Sequence, residues 1–214
     1  VTAEAGIARS GPSFGLSVGD FDGDQFPDVW ASNHWRTPSL YRNGGDGTFR
    51  ESLERFVGNP PGGDFHGAAW ADFDRDGDLD LIELAGANRG LGSGPNRLFV
   101  QEAGRLRNRA RERGVDAPQG RARTPHWLDW EADGDLDLLM TGILRPDGKD
   151  WSGLFLQDGA RRPAAFDRAP MDVLGRPQGF LFAQLADVTG DEWPELLMAD
   201  RVYPRRALAF GAAG

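Results

Sequence analysis

Four short acidic strings concentrate the residues of this chain that are able to do chemistry. They read DFDGDQFPD from Asp20 to Asp28, DFDRDGDLD from Asp72 to Asp80, DWEADGDLD from Asp129 to Asp137, and DVTGDEWPE from Asp187 to Glu195. Each places acidic or oxygen-bearing side chains at positions one, three, five and nine. Carboxylates this close repel one another and need a cation to pack. A hard ion such as Ca²⁺, which takes six to eight oxygens at about 2.3–2.6 Å, suits alternating side chains of a tight loop plus one backbone carbonyl. Mg²⁺ demands stricter octahedral geometry and keeps its water. Zinc and copper favour His or Cys, and none lies within the strings.

The ligands expected in the first loop are Asp20, Asp22, Asp24, Asp28 and the carbonyl of Phe26. In the second they are Asp72, Asp74, Asp76, Asp80 and the carbonyl of Asp78. In the third they are Asp129, Glu131, Asp133, Asp137 and the carbonyl of Asp135; in the fourth, Asp187, Thr189, Asp191, Glu195 and the carbonyl of Trp193. Glu131 is longer than the Asp it replaces and Thr189 carries no charge. Fewer charges bind more weakly, so the second and first sites rank above the third, and the fourth last. Up to four Ca²⁺ would bring the formal charge of −9 to about −1. Isolated Asp-Gly turns form without metal; four in-step copies argue for the ion. Asp72, Asp74, Asp76, Gly77 and Glu83 also satisfy an EF-hand loop, but the other copies hold Ala31, Met140 and Met198 at its last position, and Pro27 and Pro194 interrupt two of them.

The elements that position these loops repeat with them. The strings begin at Asp20, Asp72, Asp129 and Asp187, spacings of 52, 57 and 58 residues, and each runs into a short apolar stretch. A second motif recurs out of phase: Leu40-Tyr41, Leu98-Phe99, Leu154-Phe155 and Leu208-Ala209, each near a glycine turn. In the first unit this reads as four strands, Leu16 to Phe21, Pro27 to Asn33, Ser39 to Asn43 and Thr48 to Leu53. The acidic string joins the first two, and the Asn43-Gly44 turn joins the last two. Four-stranded units of this length describe an all-β fold, a β-propeller with four blades. The approximate repeats are 8–58, 59–115, 116–170 and 171–214, in a single propeller segment, with 1–7 as the end of an outer strand. The four form either an arc of a larger ring of about seven blades, the favoured reading, or a closed four-bladed ring. The start at Val1, without Met, is read as a processed or excised segment.

Composition narrows the function. The 214 residues carry 24 Lys plus Arg against 33 Asp plus Glu, which speaks against a nucleic-acid partner. No apolar run is long enough for a transmembrane helix. With no cysteine there are no disulfides, thiolate metal sites or cysteine nucleophiles. No P-loop string is present.

The strings Gly19-Asp20-Phe21-Asp22-Gly23-Asp24, Leu40-Tyr41-Arg42-Asn43-Gly44-Gly45-Asp46-Gly47-Thr48-Phe49 and Val1-Thr2-Ala3-Glu4-Ala5-Gly6-Ile7 resemble FG-GAP/VCBS-type repeats. Such repeats occur in integrin α-subunit propellers and in the cartilage acidic protein (ASPIC/UnbV-associated) family. The run from Phe65 to Asp72 resembles that second family's approach to its Ca²⁺ loop. The resemblance implies a Ca²⁺-stabilised extracellular or cell-envelope propeller and no particular reaction.

Other residues offer weaker signals. His66 and His126 precede their acidic strings and are read first as hydrogen-bonding strand-end residues, second as catalytic or glycan-binding groups; His34 is the third histidine. Arg105, Arg107, Arg109, Arg111 and Arg113 alternate, as on one face of a charged edge strand. Of the seven Trp, most are expected in the core between blades, with Trp35 or Trp151 free to stack on sugar rings.

The function expected is therefore a non-enzymatic, calcium-binding scaffold that presents loops for adhesion to extracellular protein. A lectin-like, glycan-binding module is the alternative, and a polysaccharide-degrading enzyme comes third. Loose calcium sites, at about 10⁻⁴–10⁻³ M, fill outside the cytosol. The compartment expected is extracellular, periplasmic or cell-surface.

Overall fold

The computed structural model describes residues 2–7, 12–87, 90–148, 152–159, 164–169, 183–190, 194–198 and 201–203. Four successive groups of antiparallel strands follow the repeats. The first blade holds β1 (Ser13–Gly19), β2 (Asp28–Arg36), β3 (Ser39–Asn43) and β4 (Phe49–Glu51). The second holds β5 (Gly63–Ala71), β6 (Asp80–Ala85), β7 (Arg97–Glu102) and β8 (Arg105–Asn108). The third holds β9 (Ala122–Leu128), β10 (Asp137–Gly142), β11 (Gly153–Gln157) and β12 (Phe166–Arg168). In the fourth, β13 (Ala183–Ala186), β14 (Glu195–Met198) and β15 (Arg201–Tyr203) are described. The fold is all-β with the architecture of a β-propeller. Among the described residues no helix is long and apolar enough to cross a membrane.

Within a blade each strand pairs with the next in antiparallel register, for example Val18 with Val29, Val29 with Tyr41, and Tyr41 with Glu51. The first strands of successive blades lie side by side. Glycine permits their close approach: a Cβ on Gly15 would sit 1.9 Å from the carbonyl oxygen of His66, and one on Gly67 2.4 Å from that of Arg123. Blades one and two are also joined by a short parallel pairing of β2 with β5, where His34 meets Gly63 and Asp64.

The core lies between blades. Phe21, Trp30, Leu40, Leu81 and Phe99 form one cluster between the first two. Phe73, Ile82, Leu138, Phe155 and Phe166 form the next. Leu128, Trp130, Leu154 and Ala183 form the third. A buried ion pair within the second blade, Arg97 donating to Glu83 at 3.2 Å, is tied across the first junction by the Trp30 indole N–H, which donates to Glu83 at 3.0 Å.

Several local expectations are corrected. The first strand ends at Gly19, so Phe21 belongs to the loop and turns into the core. The fourth strand ends at Glu51; Leu53–Phe56 instead forms a helical turn, α1, with Leu53 and Phe56 buried. Of the alternating arginines, only Arg105 and Arg107 lie on β8. Residues 110–114 form a turn because Val115 N–H returns to the Ala110 carbonyl at 2.9 Å, and Arg109 bridges Glu102 and Glu112. Residues 2–6 also form a turn, which docks on β4 through Phe49 N–H to the Ala5 carbonyl at 2.8 Å. The turn at 110–114 docks on β12 in the same way, through Phe166 N–H to the Arg113 carbonyl at 2.9 Å. The Leu208-Ala209 pair lies outside the described residues, and β14 pairs instead with Arg201–Tyr203. Trp30 and Trp130 are buried as expected of core residues, Trp35 is exposed, and Trp151 and Trp193 lie outside the described residues.

Candidate metal centres in the strand-connecting loops

Each acidic string connects the first strand of its blade to the second, and the described parts of the strings share one backbone shape. Position four has positive φ in every copy: Gly23 at 72°, Arg75 at 59°, Ala132 at 58° and Gly190 at 78°. Position six repeats it in the first three, with Gln25 at 72°, Gly77 at 95° and Gly134 at 91°. Left-handed residues two apart coil the chain around the carboxylate at position one. Asp20 accepts the N–H groups of Asp24 at 3.0 Å and Gln25 at 2.8 Å. Asp129 accepts those of Asp133 at 3.2 Å and Gly134 at 3.0 Å, and Asp72 accepts that of Gly77 at 3.1 Å. Position five then closes an Asx turn. Asp24, Asp76 and Asp133 accept the N–H of position seven at 3.0, 3.0 and 2.9 Å.

Position nine opens the second strand and is buried in every copy. In the first three copies its carboxylate ties the second strand to the third. Asp28 accepts from Phe21 N–H at 3.3 Å and Asn43 N–H at 2.7 Å. Asp137 accepts from Trp130 and Gln157, both at 2.8 Å, and Asp80 from Gln101 at 2.8 Å. Burial is the main force on these acids, and the neighbouring carboxylates add to it against the opposing backbone hydrogen bonds. Together they push Asp28 up to about 6, Asp137 to about 7 and Asp80 to about 8.

The loops differ in how their carboxylates are satisfied. In the second, ligand atoms of Asp72, Asp74 and Asp80 lie within 4.8 Å of one another. Asp72 Oδ1, Asp74 Oδ1 and Asp80 Oδ2 are all buried and take no hydrogen bond among the described residues. Three orphaned carboxylate oxygens in one place are costly when ionised unless a cation joins them, and an all-oxygen donor set suits Ca²⁺. In the first loop Asp20, Asp22 and Asp28 converge equally closely, and Asp22 Oδ1 is orphaned. There a guanidinium supplies positive charge: Arg42 bonds Asp22 and, at 2.7 Å, Asp24. In the second loop Val100 occupies the matching place after Leu98-Phe99, and the positive charge that acts on Asp74 is that of Arg113, from the turn at 110–114.

The third loop does not draw its acids together as tightly. Glu131 is exposed, and the Asp135 side chain is used between blades, accepting from Arg75 at 2.6 Å and from Gly159 N–H at 2.8 Å. In the fourth, Asp187 accepts Gly190 N–H at 2.6 Å, and Glu195 accepts Val188 N–H at 2.8 Å and the Thr189 hydroxyl at 3.1 Å. Asp191 and Trp193 lie outside the described residues. The EF-hand alternative fails on Glu83: its carboxylate is buried against Trp30 and Arg97, and the loop is flanked by strands.

Residues 20–83, which hold the first two loops and the strands between them, match the family described as FG-GAP-like repeat. That segment has the FG-GAP-like repeat pattern. The chain is also similar to cartilage acidic protein 1 of Homo sapiens, 29% identical over 147 residues, and to that of Mus musculus at 29% over 147 residues. The Xenopus tropicalis protein of the same name is 28% identical over 145 residues. The matches cover 67% of this chain and 21–22% of those proteins, so the chain spans about a fifth of the length of the curated relatives it matches. An FG-GAP repeat here amounts to a strand, an acidic loop and a second strand whose first residue pins the loop. Sequence reasoning missed Arg42, whose role depends on β3 lying beside the first loop. The recurrent basic or apolar residue after each Leu-aromatic pair is the one signal that marks the position.

Proposed function

We propose that this chain is a calcium-binding part of an extracellular β-propeller scaffold, non-enzymatic, whose loops serve protein adhesion. The observation that carries the calcium reading is the second loop, where Asp72, Asp74 and Asp80 converge and each keeps one buried oxygen that takes no hydrogen bond among the described residues. A bound Ca²⁺ would neutralise that charge and add its binding free energy to the folded state. Asp20, Asp22 and Asp28 would hold a second ion once Arg42 moves aside. The third and fourth loops are weaker candidates, through Asp129, Glu131, Asp133 and Asp137, and through Asp187, Thr189 and Glu195. The extracellular setting is supported by the name of the relatives, cartilage acidic protein 1, and by the loose affinity expected of such loops.

Calorimetric titration of the metal-free chain with Ca²⁺ tests this reading. At least one site of micromolar to millimolar affinity is expected, lost in Asp74→Asn. Absence of heat and of any rise in melting temperature up to millimolar Ca²⁺ would remove the reading.

A further inference from the structure

We infer that His34, Asp64 and His66 form a second kind of metal site, for a divalent transition ion of the zinc class, separate from the acidic loops. The short parallel pairing of β2 with β5 brings His34 of the first blade against Asp64 of the second. On β5, Asp64 and His66 are two residues apart and so share one face. The result is convergent. His34 Nε2 lies 2.6 Å from Asp64 Oδ1, and His66 Nε2 lies 2.9 Å from the same oxygen. Ligand atoms of all three residues fall within 4.8 Å of one another.

Two imidazoles and one carboxylate are a donor set for zinc-class ions and a poor one for Ca²⁺, which takes oxygen. Around a tetrahedral ion with bonds near 2.0–2.1 Å, neighbouring ligand atoms stand about 3.3 Å apart. Opening the present contacts by about half an ångström of side-chain motion admits the ion.

The surroundings hold the rings and leave one side free. The Phe14 ring packs against both imidazoles, 4.7 Å from His34 and 5.3 Å from His66. Space beside Asp64 and His66 is kept clear by Gly86, where a Cβ would lie 2.7 Å from both Asp64 Oδ2 and His66 Nε2. Asp64 and Gly86 also line a cavity of about 400 Å³, bordered by Trp35, Arg97 and Asn108. Trp35, next to His34, is held at a φ of 64°, a strained setting for a bulky residue. Three protein ligands with a free position facing a cavity is the arrangement of a zinc site that keeps water or a small ligand in its fourth place.

The test uses Co²⁺ as a spectroscopic probe on the full 214-residue chain in saturating Ca²⁺, which keeps the acidic loops occupied. One equivalent of Co²⁺ should give an intense visible ligand-field band of a four- or five-coordinate ion, abolished by added Zn²⁺. His34→Ala, at a partly exposed residue, should weaken Co²⁺ at least about 10-fold while the Ca²⁺-dependent melting temperature stays unchanged. His66→Gln should do the same; should it fail to fold, His34→Ala alone decides. Lack of the band, or a band that persists in His34→Ala and falls in Asp74→Asn, would overturn the inference. Failure of the calcium loops would leave this site untouched, because the two share no residue.

Discussion

The rings of Phe21 and Trp70 stack across the junction of the first two blades, 5.8 Å apart and 14° from parallel. Phe73 and Trp127 repeat the relationship at the next junction, 5.7 Å apart and 13° from parallel. In each pair the aromatic residue at position two of one acidic string meets the Trp two places before the next string. The metal loop of one blade is thus keyed into the strand leading to the loop of its neighbour. Trp70 is partly buried, so Trp70→Ala should cost about 3 kcal/mol of stability, the low end for a core aromatic, read from urea denaturation, because it leaves the buried Phe21 facing a void. A cost near that of an exposed residue would show that the stacking does not hold the junction.

The position-nine acids give the metal-free protein a distinctive pH dependence. Asp28, Asp137 and Asp80 are raised to about 6, 7 and 8 when folded, against 3.8 ordinarily. A raised carboxylate binds its proton more tightly in the folded state. Its contribution is therefore full below about pH 4 and is lost as pH rises through the folded values. In EDTA the melting temperature should fall between about pH 5 and 8. Ca²⁺ should cancel the fall by holding the acids ionised, and its binding should release protons in that window. A melting temperature in EDTA that climbs over this range would contradict the assignment.

Asp74→Asn should have opposite effects with and without metal. Burial and the charge of Asp76 raise Asp74 and Asp72 adds to them, outweighing the opposing charge of Arg113, so neutralising Asp74 relieves repulsion in the empty loop. The metal-free melting temperature should rise by about 2–4 °C, while Ca²⁺ affinity should drop at least about 10-fold. Thermal melts with and without Ca²⁺ check both signs in one series. Asp76→Ala should likewise cost more in Ca²⁺ than Thr189→Ala.

Arg42 bonds Asp22 and Asp24 and so competes with an ion for the first loop. Arg42→Ala should tighten Ca²⁺ there several-fold while making the metal-free protein less stable. Titration calorimetry resolves the first-loop site in an Asp74→Asn background; weaker binding after the substitution would assign the arginine a supporting role instead.

Much of this was legible in the residues. The spacing of Asp20, Asp72, Asp129 and Asp187 and the alternation around Leu40-Tyr41 mark strands and loops because those patterns are local. Relationships that depend on two blades meeting were not legible. Nothing in the order of residues says that β2 pairs with β5, so His34 could not be joined to Asp64 and His66, although the Asp-x-His alternation was visible. The left-handed turns at Gln25, Arg75 and Ala132 were hidden because glycine, the usual signal for positive φ, is absent there. The alternating arginines past Asn108 mimic a strand, but a Val115-to-Ala110 hydrogen bond turns the chain.

The central claim is a cation held by Asp72, Asp74 and Asp80. Crystals grown with Ca²⁺, with diffraction data collected where calcium scatters anomalously, test it most directly. The account predicts an anomalous peak among those three carboxylates, with a weaker one beside Asp20, Asp22 and Asp28. Carboxylates still converged around water, with no peak at either place, would contradict it.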